Sequence, residues 1–250
     1  MVEQHKRDYL YEKVKWIKGY DFITIENTKE LSEEEVLLFL KCLREDTSMR
    51  KYNNVHILID DKFSNQVDQE LLSQAFVLHD ETVMVYKDLE HLSNDPLHFQ
   101  YKSLYELKRD MFVTMWENCM YQSWNASSSL NVEGQMKSVE VELGQHYKRS
   151  CLVAFEKDNP IGVILPHIEP GTIEEGRLFY FGILQTERGK GKSKQLHQDA
   201  LQLLKNTFKA TYYIGSTSRK NIPMLKTFEN NGCKVVERNR YYKKKFRTQF

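Results

Sequence analysis

Residues 185–196 read "QTERGKGKSKQL". The centre of this stretch, Arg188, Gly189, Lys190, Gly191, Lys192 and Ser193, interleaves cations with two glycines. Such a combination suits an anion. Glycine lets a backbone N–H approach a phosphate closely, and the cations add charge around it. A diphosphate is the natural guest. The same residues would also serve a nucleic-acid contact or a solvated turn, and the loop alone leaves all three readings open. Its spacing excludes two familiar nucleotide loops: neither G-x-x-x-x-G-K-[ST] nor G-x-G-x-x-G is present.

The elements around the loop sharpen its meaning. "GRLFYFGILQ", just before it, reads as a long apolar strand. After it, Leu196, Ala200, Leu203, Leu204 and Phe208 recur at helical spacing. The loop therefore opens a helix, where unpaired N–H groups and the positive end of the dipole favour anions. Upstream, "SCLVAFEKDNPIGVILPHIE" reads as a hairpin. Before that, "KRDMFVTMWENCMYQSW" reads as a helix with Met111, Met115 and Cys119 along one face, and "VEGQMKSVEVELGQHY" as a helix with a break near Gly134. Downstream come a strand in "ATYYIGST", a helix in "NIPMLKTFENNG" and one or two strands in "CKVVERNRYYKKKF". The first ninety residues alternate strand and helix, with Ser32 and Glu35 forming a capping box before "VLLFLKCL". The fold class is α/β with a mixed α+β sheet. The polar stretch "EHLSNDPLHF" suggests a boundary, giving a smaller α/β domain over 1–92 and a second domain over 93–250.

The 250 residues carry 36 Lys plus Arg against 35 Asp plus Glu, a net charge of +1. The basic loop is thus a local feature, and the balance argues against nucleic acid as a partner. Cys42, Cys119, Cys151 and Cys233 form no C-x-x-C pair and have no zinc spacing, so no metal is expected. Asp60 and Asp61 at a strand end read as a loop entry. No apolar leader and no run long enough to span a membrane is visible. A cytoplasmic protein, monomeric or homodimeric and without a membrane partner, is the expectation.

"ILQTERGKGKSKQL" resembles motif A of the GNAT acyl-CoA-dependent N-acyltransferases, [QR]-x-x-G-x-[GA]. Arg188 matches its first position and Gly191 its fourth, while Ser193 replaces the final small residue. "NIPMLKTFENNGC" resembles motif B of the same family, with Asn221, Phe228 and Gly232 at matching spacings, Met224 for an Ala and Cys233 for a final Phe. The likeness covers about residues 98–246. It implies a GNAT-like fold with a splayed pair of central strands, preceded by a domain that is degenerate GNAT-like or a cap. It implies acetyl-CoA as cosubstrate, with the diphosphate on the N–H groups of Arg188 to Ser193. The pantetheine arm would pair along Ile183 and Leu184, with Asn221 and Phe228 beside it.

The implied reaction is transfer of an acetyl group to an amine acceptor by direct attack in a ternary complex. The resemblance also shows gaps. Phe228 stands where many members carry a Tyr acid, and Arg177 where some carry a Glu base. Arg177 would suit an anionic part of the substrate instead. Glu169 is the candidate base among Glu169, Glu174 and Glu175, a strand-end N–H near Leu184 the candidate oxyanion donor, and Tyr241 and Tyr242 candidate acids. Ser216 and Thr217 end the strand nearest the thioester. These gaps keep a second reading open, a CoA-binding or regulatory module that has lost catalysis.

Overall fold

The computed structural model describes residues 4–124 and 131–246, in two compact units. The first comprises residues 1–83 with 237–250, and the second residues 84–236. The units are therefore not the segments 1–92 and 93–250: the last strand returns to the first unit. The reason is register. Asn239 to Lys245 pair antiparallel with Asp60 to Asn54, so a cut at 92/93 would strip that strand of its partner.

The first unit holds α1 (Gln4–Glu12), β1 (Lys15–Lys18), β2 (Phe22–Glu26), α2 (Glu33–Glu45), β3 (Asn54–Asp60) and α3 (Asn65–Ser73), and β4 (Val77–Asp88) leads out of it. The capping box at α2 forms as expected, Ser32 accepting from the Glu35 N–H while Glu35 accepts from the Ser32 N–H. Strands β2 and β3 are parallel. The returning strand is antiparallel to β3, so the sheet is mixed. Val36, Phe39, Leu40 and Leu43 of α2 pack with Ile25, Ile57 and Ile59 into one core.

The second unit runs β5 (Gln100–Ser103), α4 (Arg109–Met120), α5 (Val132–Leu143), α6 (Tyr147–Ser150), β6 (Leu152–Glu156), β7 (Asn159–Ile168), β8 (Glu175–Ile183), α7 (Lys192–Leu203), β9 (Tyr212–Ser218) and α8 (Ile222–Asn230). The chain leaves through β10 (Lys234–Lys245). Strands β5 to β8 form an antiparallel series, and β8 pairs β9 in parallel. One face of this sheet is covered by α4 and α5. The buried stripe of α4 is Phe112, Trp116 and Cys119, not Met111, which is exposed. The two large aromatics bury more apolar area than the methionines, and their spacing sets which way the helix rolls. The break in α5 comes at Gly144, with φ +61°, rather than at Gly134, whose N–H is capped by the Asn131 side chain.

On the other face lies α7, held in place by Asp199. Its buried carboxylate accepts from the His98 and Phe99 N–H groups at 3.0 Å and from the Tyr101 hydroxyl at 2.8 Å. A buried carboxylate demands such donors, so this one residue ties the helix behind the basic loop to the start of the sheet.

Candidate functional site

Strand β8 pairs with β9 only at Glu175–Tyr212 and Gly176–Tyr213. They can approach there because Gly176 has no side chain; a Cβ would stand 2.9 Å from that of Ala210. Beyond this contact they part, and the splay holds a cleft of about 210 Å³ lined by Leu178 to Phe181 on one strand and by Tyr213, Ser216 and Thr217 on the other. Met224 and Phe228 of α8 close its side. A second cleft of about 140 Å³ lies at the end of β8 and meets Ile183, Arg188, Ser193 and Asn221. Phe181 and Met224 line both. The two clefts therefore form a path from the splay to the basic loop.

The loop itself is shaped by its glycines. Gly189 and Gly191 have φ of +76° and +75°, and nothing lies within 4 Å of the place where either Cβ would stand. Gly191 is the N-cap of α7, and no side chain caps the first turn. The N–H groups of Gly191, Lys192 and Ser193 thus have no partner within the helix, whereas that of Lys194 donates to the Gly191 carbonyl at 3.3 Å. That geometry suits an anion. The cations behave differently from the expectation. Lys190 reaches Glu187 at 3.2 Å, and Lys192 reaches both Glu156 and Glu187 at 2.7 Å. The Lys192 bond, then that of Lys190, holds the Glu187 carboxyl below its usual range. Much of the loop's positive charge is therefore neutralised within the protein, and the backbone N–H groups are what the loop leaves open.

Arg188 is also committed. Its Nε donates to the Ile183 carbonyl at 3.1 Å, and its Nη atoms donate to the carbonyls of Cys119, Tyr121 and Gln122 at 2.8–3.0 Å. The last turn of α4 leaves such carbonyls unpaired, and the planar guanidinium gathers them. Its own N–H donates to Gln185 at 3.3 Å. The open part of the loop thus begins after Arg188, at Gly189, and Arg188 holds α4 and β8 together beside it.

The other expected contacts sort as follows. Ile183 lines the cleft, and so does Asn221, which caps α8 through Oδ1 at 3.3 Å from the Met224 N–H and donates from Nδ2 to Thr217 at 3.0 Å. Pro223 in the first turn of α8 suits the cap. Leu184 packs toward the core, and its N–H donates to the Ile161 carbonyl at 2.9 Å. That amide is therefore not an oxyanion donor: the strand ladder has already used it. Phe228 is buried against His197, ring centroids 5.4 Å apart. His197 accepts from Asn231 at Nδ1, and burial pulls it down to about 3. Tyr241 and Tyr242 belong to the first unit, where Tyr242 donates to Asp68 at 2.8 Å.

Glu169 and Arg177 come together, at the opposite end of β8 from the loop. Glu169 is buried, 3.4 Å from His167 Nε2 and 3.5 Å from Arg177 Nε. Arg177 also binds Glu175 at 2.5 Å. Its guanidinium is shared between two carboxylates, so it organises Glu169 and Glu175 rather than offering a bare cation to an anionic substrate. Beside this cluster is a cavity of about 380 Å³ lined by His167, Pro170, Glu142, His146, Arg149 and Phe208 among others. Glu142 carries a covered oxygen without a partner among the described residues; burial and then the neighbouring Glu169 push its carboxyl up to about 8. Nothing in the local pattern of "VEVELGQH" marks Glu142, because its burial comes from elements distant in sequence. The same holds for Gln122, Ser123 and Trp124, which line the cleft by the loop. Among the described residues no cluster of three or more His, Cys, Asp or Glu has the arrangement of a metal site, and no helix is long and apolar enough to cross a membrane.

Similar architectures occur in known proteins. A GCN5-related N-acetyltransferase from Sphaerobacter thermophilus superposes with a TM-score of 0.56 at 13% identity, over 95% of this chain and 77% of that one. A second, from Kribbella flavida, gives 0.57 at 9% identity over 96% and 93%. A tandem GNAT protein from the clavulanic acid biosynthesis pathway gives 0.54 at 8% identity over 93% and 78%. At these identities the likeness is one of fold. No curated protein matches the chain at a significant level. The sequence of residues 101–232 matches the Acetyltransferase (GNAT) family. That match spans just over half of the chain and contains the splay, the glycine loop and α8, and on this ground the chain belongs to the GNAT acetyltransferase family.

Proposed function

We propose that the chain is an N-acetyltransferase that takes acetyl-CoA as cosubstrate and an amine as acceptor. The observation that carries this reading is the path of two clefts between the splay of β8 and β9 and the open glycine turn at α7. The diphosphate of CoA suits the N–H groups from Gly189 to Ser193, with Gly189 and Gly191 leaving room for it. The pantetheine arm would follow Ile183 toward Phe181.

An amine of lysine type is almost wholly protonated at pH 7, about 4.6 kcal/mol from its reactive form. Glu169 is our candidate for the group that draws off the proton, directly or through water. Its burial beside His167 and Arg177 holds it in one position. The adjoining 380 Å³ cavity is the proposed acceptor side.

The test has two steps. Thermal melts with millimolar CoA should show stabilisation of roughly 2.7 kcal/mol at a hundredfold excess over Kd. An acceptor library with acetyl-CoA should then release free thiol only when an amine is present. No melting shift would reject the cosubstrate. A shift without turnover on any amine would favour a CoA-binding module without catalysis, for which Phe228 in place of a hydroxyl-bearing residue is the supporting observation.

A further inference from the structure

Trp124 is 63% exposed and borders the cleft at the end of β8. The other two tryptophans are settled inside the protein: Trp116 is fully buried, and Trp16 is half-buried with its Nε1 donating to the Tyr11 carbonyl at 2.9 Å. A large aromatic left in water at the mouth of a cleft is surface available for contact.

The backbone that carries Trp124 is fixed by the protein. Gln122, two residues before it, has φ +49°, a conformation that disfavours an L side chain. Four bonds hold it there. Gln185 Nε2 donates to the Gln122 side-chain oxygen at 2.7 Å, Arg188 donates to the carbonyls of Tyr121 and Gln122 at 2.8 Å, and the Ser123 N–H donates to the Met120 carbonyl at 3.1 Å. An exposed helix end needs no such set, since water would satisfy its carbonyls. The bonds tie the tail of α4 to the glycine loop and make it a standing wall of the cleft. The indole itself keeps its freedom, because exposed side chains change rotamer in picoseconds to nanoseconds.

Phe181, Ile183, Pro223 and Met224 supply apolar surface in the same cleft. The cleft lies between the glycine loop and the splay. On the acyl-CoA reading, on which this inference rests, the part of the cosubstrate that crosses it is the uncharged pantetheine arm, alkyl segments joined by amides. An indole offers both an apolar face and an N–H donor. We propose that Trp124 folds over the pantetheine arm and holds it in the cleft. It is a positioning residue and takes no part in bond making.

The test reads emission and affinity on the whole chain. Trp124 carries the most exposed of the three indoles, so its emission lies furthest to the red. CoA should move the wild-type emission to the blue, and Trp124→Phe should abolish that shift. Adenosine 3′,5′-bisphosphate, which lacks the arm, should cause none. Covering about 60 Å² of apolar surface corresponds to roughly tenfold in affinity. Trp124→Ala should therefore raise the Kd for CoA by about that factor and leave the Kd for the bisphosphate unchanged, while Trp124→Phe should recover most of the loss. An unchanged Kd for CoA in Trp124→Ala would overturn the proposal, and so would an emission shift that persists in Trp124→Phe. Equal weakening of both ligands would also overturn it, by placing the effect at the loop. So would a rise confined to the KM of the amine acceptor. If Trp124→Ala fails to fold, the emission of Trp124→Phe decides. Absence of CoA binding by the wild type is a separate outcome, and overturns the acyl-CoA reading along with the proposal.

Discussion

The Nη2 of Arg188 lies 3.0 Å from the carbonyl oxygen of Cys119, joining the residue that starts the glycine loop to the last turn of α4. The same guanidinium reaches Ile183, Tyr121 and Gln122. A residue that reads as a phosphate ligand is thus a tie between a helix end and a strand end, and it supports the glycine loop.

Arg188→Ala should therefore act first on stability. Hydrogen bonds to a charged group contribute about 1.5–3 kcal/mol each in favourable cases, and several are lost together. We expect a clear fall in the urea midpoint, with CoA binding weakened as the loop loosens. Arg188→Lys should rescue little, because an ammonium lacks the planar fork. Denaturant titration and calorimetry with CoA measure both effects; a Lys variant as stable as the wild type would show that one carbonyl, not the set, matters.

Gly191→Val should weaken CoA binding by more than tenfold, whereas Lys190→Ala should change it only a few fold. The φ of +75° at Gly191 disfavours any L side chain by roughly 1–2 kcal/mol, and a branched one would stand over the anion's place. Lys190 is exposed and paired with Glu187, and solvent screens most of what such a pair contributes. Circular dichroism verifies folding and calorimetry gives Kd. The reverse ranking would mean that side-chain charge, not backbone, holds the ligand.

Glu142 should make the protein less stable as pH rises. Its carboxyl is raised to about 8 in the fold, above the 4.5 of the unfolded chain. Between these values the native state keeps a proton that the unfolded state has lost, so stability is fully present below about 4.5 and declines as pH climbs through about 8. Glu142→Gln cannot titrate. Its Tm relative to the wild type should increase steadily from pH 5 to pH 8. Parallel Tm profiles for the two proteins would show that Glu142 ionises normally.

The local patterns were legible because short-range chemistry makes them. The capping box at Ser32 and Glu35, the strand "GRLFYFGILQ", the glycine turn and the apolar face of α7 each follow from neighbours within a few residues. Motif spacing likewise marked Ile183, Ser193 and Asn221, which the fold brings to one cleft. What lies between distant segments was not legible. Periodicity cannot report that Arg188 is used up by carbonyls of α4, that Lys192 faces Glu156, or that the Leu184 amide is taken by Ile161. It cannot show the bulge that turns Tyr180 beside Phe179, because strand alternation is read from one strand whereas a bulge is defined by two. Nor does it reveal that residues 239–245 return to β3. The sequence by itself determined the elements and the open glycine turn, since backbone conformation and helix ends depend on local residues. The tertiary structure alone decided which charges are spent on the protein and which polar groups remain for chemistry, since burial and pairing depend on segments far apart in the chain.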